Sequence, residues 1–129
     1  MILALRTDKP LAELILVEEG KEIARYEWEA HRTLAATLVS KIQAFLAENH
    51  ASTQKLSGII VFSGSGSFTG LRIGATVANA LEYSHKIPVA AGEGENWLAM
   101  GTQKLAQANT GKYVIPTYDR EPNITKPKN

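Results

Sequence analysis

The stretch Ser63–Gly74, SGSGSFTGLRIG, joins an apolar run to a helical pattern through a glycine-rich turn, and it decides the fold. The residues before it, Gly58–Phe62, are apolar and mostly β-branched, which predicts a buried strand. The residues from Leu71 to Tyr83 predict a helix. Strand, glycine turn and helix form the layout of a phosphate-binding loop, because glycines adopt backbone angles closed to other residues and helix N-termini attract anions.

The glycine spacing does not match the two common nucleotide-binding motifs. No Lys-Ser or Lys-Thr pair follows Gly70, which excludes a P-loop. Gly64, Gly66 and Gly70 miss the G-x-G-x-x-G interval by one residue. The spacing alone therefore leaves two interpretations, a structural turn or a phosphate site.

The complete string carries more information than its glycines. GSGSFTGLRIG closely resembles GPGSFTGLRIG, the signature of the bacterial TsaB (YeaZ) family, non-catalytic partners in making threonylcarbamoyladenosine at adenosine 37 of tRNA. Ser65 stands where the family usually has proline, which makes the turn less rigid. Met1–Leu5 resembles the family's opening strand and Pro116–Arg120 its closing P-x-Y-x-R segment. The resemblance implies a shortened member that keeps the first of two lobes.

The order of predicted elements, βββαβαβα, supports the same fold. The predicted strands are Ile2–Leu5, Ala12–Glu18, Glu22–Trp28, Gly58–Phe62 and Ile87–Ala91, and the predicted helices are Thr33–Asn49, Leu71–Tyr83 and Asn96–Ala108. Glu19-Gly20-Lys21 suits a tight hairpin turn, and Lys112–Ile115 is a candidate last strand. This order predicts an α/β fold with a mixed sheet, a single ribonuclease H-like lobe of the actin-like and sugar-kinase-like ATPase type.

Composition agrees with one compact domain. The chain has 129 residues, of which 44% are hydrophobic. We expect residues 1–118 to form the domain and residues 119–129 a flexible tail, because the end of the chain contains two prolines and few apolar residues. The 14 basic and 13 acidic residues give no general affinity for nucleic acid or membranes, so tRNA would be reached only through a partner.

Cellular location is predicted from what the sequence lacks. Cysteine is absent, which excludes disulfides and cysteine-based metal sites. No apolar run reaches the ~20 residues that span a bilayer. We therefore expect a cytoplasmic protein.

Candidate catalytic residues are few. Actin-like ATPases carry an aspartate and a glycine-rich turn after the first strand, whereas this chain has Arg6-Thr7-Asp8 and no glycine there. Asp8 is interpreted as a turn residue, since Pro10 follows it closely. The three histidines lack metal-ligand spacing, so no metal site and no catalytic residue are predicted. These observations favour an accessory subunit over an enzyme.

The resemblance implies a scaffold that binds and activates a TsaD-type transferase and assembles with a TsaE-type ATPase. In that family the helices equivalent to Thr33–Asn49 and Leu71–Tyr83 form the interface with the transferase, and homodimers can use the same surface. The residues predicted to bind the partner are Leu34, Leu38, Ala75, Ala78, Leu81 and Glu82. The alternative is that these residues fill the chain's own core, because amphipathic helices in any α/β domain look alike.

The glycine-rich loop supplies a second set of candidates. The residues predicted to contact a phosphate or a partner are Gly64, Gly66, Ser67, Phe68, Thr69, Gly70 and Arg72. Arg72, placed in the first helical turn, would clamp a phosphate or carboxylate, or bond to a neighbouring loop or a partner's acidic group. No cofactor is expected for the chain alone, and ATP or ADP would bind at a composite interface with the partner. The alternative function is a small actin-like nucleotide-binding enzyme that uses the 63–74 loop for phosphate.

Overall fold

A computed structural model of the chain describes residues 1–64 and 68–107. The strands are β1 (Ile2–Arg6), β2 (Leu11–Glu18), β3 (Lys21–Glu29), β4 (Gly58–Phe62) and β5 (Val89–Gly92). The helices are α1 (Leu34–Glu48), α2 (Phe68–His85) and α3 (Trp97–Leu105). Two short 3-10 turns, His31–Thr33 and Thr53–Lys55, precede α1 and β4. The described elements follow the predicted order βββαβαβα and confirm the α/β, ribonuclease H-like lobe.

The five strands form one mixed sheet in the order β3-β2-β1-β4-β5. β2 is antiparallel to both β1 and β3, whereas β4 is parallel to β1 and β5. The turn between β2 and β3 contains Glu19 at φ 52° and Gly20 at φ 79°, the left-handed conformation that tight hairpins favour. The carboxyl ends of β1, β4 and β5 therefore meet at one edge of the sheet, where the glycine-rich loop begins.

Helices cover both faces of the sheet. Leu3 and Leu5 of β1 point to the face on which α1 and α2 pack, together with Leu38. Ala4 points to the opposite face, which α3 covers with Trp97. This alternation follows from the two-residue period of a strand, and it makes β1 a central strand buried on both sides.

The start of α2 differs from its predicted bound. The helix begins at Phe68, three residues before the predicted Leu71, so Phe68–Gly70 form its first turn and not part of the loop. Gly74 explains how closely α2 approaches the sheet, because a Cβ atom there would lie 2.5 Å from Oγ1 of Thr7. The other described helix and strand ends agree with prediction to within three residues.

Several predictions fall outside the described residues. They are the candidate strand Lys112–Ile115, the Pro116–Arg120 segment, the domain boundary at residue 118 and the tail 119–129. In the part of the chain that the structure describes, no helix combines the length and the apolar character needed to cross a membrane.

Candidate functional site

The end of β1 is joined to the first turn of α2 by a buried hydrogen bond. The hydroxyl of Thr7 donates to the carbonyl oxygen of Gly70 at 2.7 Å, and Thr7 is 1% exposed. Gly74 lies one turn further along α2 and faces the same threonine. We call Arg6, Thr7, Asp8, Gly70 and Gly74 the β1–α2 junction. Sequence reasoning did not single out Thr7, because its partner is 63 residues away along the chain.

Arg6 and Asp8, the residues before and after Thr7, form an ion pair with each other. Nε of Arg6 lies 2.8 Å from Oδ1 of Asp8, and Nη2 lies 3.3 Å from Oδ2. The Arg6 guanidinium also lies 3.9 Å from the ring centroid of Phe62. Asp8 occupies the bend after β1, as predicted, and its side chain is buried. Both oxygens of this carboxylate are held by arginine, which makes it a poor magnesium ligand.

A cavity of about 340 Å³ opens beside the β1–α2 junction. Thr7 and Gly70 form part of its wall, and Thr69 of the predicted loop set lines it as well. Two basic residues, Lys9 after β1 and Arg32 before α1, also line it. No local motif indicated Lys9 or Arg32, because only the fold brings the start of α1 next to the end of β1.

The rest of the predicted loop set is only partly described. Ser63 is fixed by a hydrogen bond from its backbone N–H to the carbonyl oxygen of Gly92, at 2.8 Å. Gly64 has φ 124°, which a side chain would strain. Gly66 and Ser67 lie outside the described residues. Arg72 is exposed in the second turn of α2 and not in the first, so the positive end of the helix opposes its charge less than expected. Contact of this loop with a phosphate or a partner stays a prediction.

The residues predicted to bind a partner lie mostly inside the chain's own core. Leu34, Leu38, Ala75, Ala78 and Glu82 are each at most 5% exposed, and Leu81 is half-buried. This burial agrees with the alternative interpretation, in which these side chains fill the core. Contact of these residues with a partner stays a prediction. Val39 on α1 and Tyr83 on α2 are 50% and 71% exposed.

Within the described residues, no three His, Asp or Glu side chains lie close enough together to hold a metal ion. The described chemistry of the site is therefore that of an ion pair, a buried threonine and a cavity with two cations. Among these described side chains, no nucleophile is paired with a base.

Comparison with known proteins identifies the family of the chain. Residues 28–118 match the family model described as TsaD: tRNA N6-adenosine threonylcarbamoyltransferase, over more than half of the chain. The chain is 33% identical over 90 residues to the tRNA threonylcarbamoyladenosine biosynthesis protein TsaB of Bacillus subtilis (strain 168). It also superposes on YeaZ from Pseudomonas aeruginosa with a TM-score of 0.65 and 27% identity. The chain belongs to the TsaB (YeaZ) family.

The match to this TsaB family covers most of the chain but less than half of each relative. The alignment spans 70% of this chain and 39% of the Bacillus subtilis protein, and 71% of this chain and 43% of the Pseudomonas aeruginosa chain. A second structure, an uncharacterized protein with similarity to peptidase YeaZ from Pseudomonas aeruginosa, gives a TM-score of 0.66 at 27% identity over 71% of this chain and 42% of that chain. The chain thus spans about two fifths of the length of these relatives.

Proposed function

We propose that this chain is an accessory subunit in the synthesis of threonylcarbamoyladenosine on tRNA, where it binds and activates a TsaD-type transferase. The observation that carries the proposal is the 33% identity, over 70% of the chain, to a protein named for that biosynthesis. The subunit would contribute binding energy that holds the transferase in its active form. A TsaE-type ATPase would join the assembly, tRNA would be reached through the partners, and the complex would work in the cytoplasm.

The surface between α1 and α2 supports a protein-binding role. A groove of about 140 Å³ lies between the two helices, and Val39, Val77 and Leu81 form part of its lining. Val39 is 50% exposed, and Val77 and Leu81 are half-buried. We call Val39, Val77 and Leu81 the helix-pair surface. Adjacent exposed apolar groups favour association, because a partner removes them from water.

The ion pair at the end of β1 supports a non-catalytic role. Arg6 holds both carboxylate oxygens of Asp8, and the junction offers no second acid to replace it. An arginine at this position also repels the magnesium ion that would accompany a nucleotide phosphate. Chemistry on the nucleotide is therefore assigned to the partners in this proposal.

Complex formation tests the proposal directly. The chain is mixed with the TsaD-type protein of the same organism at micromolar concentration and examined by size-exclusion chromatography, where we expect co-elution. Val39→Asp should weaken the complex by about tenfold or more, because it would place a carboxylate in an apolar interface. Ile23→Asp is the matched control, since Ile23 is also 50% exposed but lies on β3, away from the helix-pair surface. Elution of the two wild-type proteins as separate peaks would contradict the proposal.

A homodimer would compete for the same helix-pair surface in this scheme. Sedimentation of the chain alone measures self-association, and adding the TsaD-type protein should convert any dimer into the mixed complex. A dimer that persists in excess partner would instead favour an interaction module that only self-associates.

Any ATP or ADP is proposed to bind at an interface shared with the partner. Calorimetry with magnesium-ATP is therefore performed on the isolated chain, on the TsaD-type protein and on their mixture. We expect a heat specific to the mixture. Tight binding by the isolated chain would favour the alternative, a small actin-like nucleotide-binding enzyme that uses the 63–74 loop.

A further inference from the structure

The cavity beside the β1–α2 junction contains two basic side chains that the proposed partner role does not use. Its volume of about 340 Å³ falls within the range of small-molecule pockets. Lys9 and Arg32 both line it and both are exposed. Neither takes part in an ion pair with another described residue. Within the described residues, two cations therefore line one half-open space without an ion-pair partner.

Asp8, the acid next to Lys9 in the sequence, does not neutralise the charge of Lys9. Asp8 directly precedes Lys9, but both of its oxygens are occupied by Arg6. The Asp8 side chain is 4% exposed, so its charge is directed into the junction and away from solvent. An anion placed between Lys9 and Arg32 would be attracted by both.

The rest of the cavity wall is mainly apolar. Its apolar lining residues are Pro10, Ala30, Leu34 and Ile73. Thr7 contributes no free hydroxyl, because its proton is donated to Gly70. Thr69 lines the cavity and is exposed, and its hydroxyl makes no hydrogen bond with another described residue. The cavity thus combines an apolar wall with two cations and one hydroxyl, a pattern typical of sites that bind small amphipathic molecules.

We propose that this cavity binds a small organic anion, a carboxylate or phosphate ester that carries a compact apolar group. Lys9 and Arg32 pair with the oxygens of the anion, Thr69 donates a hydrogen bond to it, and the apolar group packs against Leu34 and Ile73. The site is complete within one chain. Its existence is independent of the proposed partner role, and the chain alone is sufficient to test it.

Titration of the isotope-labelled full chain, followed by NMR, measures the binding. Phenyl phosphate and benzoate are the two anionic probes, and the tighter of the two identifies the preferred anion. Inorganic phosphate lacks the apolar group and benzyl alcohol lacks the charge, so each should bind at least about tenfold more weakly than the better anionic probe. We expect saturable shifts in the backbone signals of Lys9, Arg32, Thr69 and Ile73.

Three variants assign the binding to the cavity. Lys9→Gln and Arg32→Gln should each weaken binding by about tenfold, because each removes one charge-assisted contact. Lys104→Gln is the control, since Lys104 is an exposed lysine on α3, which covers the opposite face of the sheet. All three positions are exposed, so the variants should fold normally, and their amide spectra verify this.

Three results would overturn the proposal. The first is the absence of saturable shifts with either anion at concentrations up to about 10 mM. A dissociation constant above that concentration is too weak for a specific small-molecule site. The second is unchanged affinity in the Lys9→Gln, Arg32→Gln double variant. The third is inorganic phosphate binding as tightly as phenyl phosphate, because the apolar wall would then contribute nothing. None of these results bears on co-elution with a TsaD-type protein.

Discussion

The β1–α2 junction and the edge strand β3 each contain an arginine bound to carboxylates, but they differ in burial. Arg6 has one partner, Asp8, whose side chain is 4% exposed. Arg25 on β3 is 38% exposed and has three partners, Glu13, Glu22 and Glu27, at 2.7, 2.8 and 3.8 Å. Solvent screens the Arg25 pairs, so each contributes little. We infer that the single buried pair contributes more to stability than the three exposed ones.

The two regions also differ in what they do for the molecule. The junction holds the start of α2 against the end of β1 and so shapes one wall of the cavity. β3 is one of the two edge strands of the described sheet, and its charged side chains oppose pairing with a strand of another molecule. Substitutions in the junction should therefore change stability and the cavity together, whereas those on β3 should change neither by much.

Gly74→Ala should have the largest effect. Alanine would normally stabilise a helix interior by about 1 kcal/mol relative to glycine, but here its Cβ would lie 2.5 Å from Oγ1 of Thr7. Thr7 is fully buried and cannot move freely, so we expect a net loss of about 2 to 3 kcal/mol in the free energy of unfolding. Urea denaturation measures the change.

A double-mutant cycle identifies the cause of that loss. Thr7→Ala removes the oxygen that Gly74→Ala would meet, so the double variant should be less destabilised than the sum of the two single variants. Strict additivity would show that α2 does not depend on this close approach, and the contrast between the junction and β3 would lose its basis.

Arg6→Met should have the second largest effect. It leaves the buried Asp8 carboxylate without its cation, which we expect to cost about 2 kcal/mol, less than for a fully buried pair because Arg6 is 22% exposed. Methionine keeps contact with Phe62, so the change tests charge more than packing. Adding Asp8→Asn to this variant should restore part of the stability. Equal stability of Arg6→Met and the wild type would contradict the comparison.

Arg25→Ala should have a much smaller effect, about 0.5 kcal/mol, although it removes three carboxylate partners. Added salt should reduce even this difference, because the cluster is exposed. A loss as large as that of Arg6→Met would show that the number of partners, and not burial, decides the contribution.

The pH dependence of Glu22 should be the smallest effect. A hydrogen bond from Arg25 lowers the pKa of Glu22 below its usual 4.5, against a weaker opposing effect of burial. The stabilisation is therefore present above the pKa of the unfolded chain and is lost as the pH falls through the folded one. Glu22→Gln should cost a few tenths of a kcal/mol near pH 7 and progressively less as the pH falls through the pKa of Glu22 in the folded chain. A difference that persists in acid would exclude this ion pair as its source.

The order of the elements along the chain and the apolar positions of the helices could be predicted from the sequence because their signals are local. Gly58–Phe62 is a continuous apolar run, and the hairpin at Glu19 and Gly20 has a clear turn residue, so both were predicted correctly. The start of α2 was not, because Phe68–Gly70 contains a glycine and has no apolar period. The hydrogen bond from Thr7 reaches this first turn from another element, and a local pattern cannot reveal it.

The site was harder to predict for the same reason. The period of α1 and α2 identified Leu38 and Ala78 as apolar positions but not which surface covers them, and the structure places both in the core. Lys9 and Arg32 belong to no motif, and the antiparallel hairpin of β2 and β3 separates them along the chain. Only the return of β3 beside β2 brings them to one cavity.

The sequence by itself therefore determined the family, through its glycine-rich string, and the order of the elements, through local apolar periods and turn residues. Tertiary structure alone decided what covers the apolar face of each helix, where α2 begins and which charges share a cavity. The physical reason is the distance along the chain over which each effect acts. Propensity and periodicity act over a few residues, whereas close approach at Gly74, the burial of Asp8 and the meeting of Lys9 with Arg32 depend on elements distant in the chain.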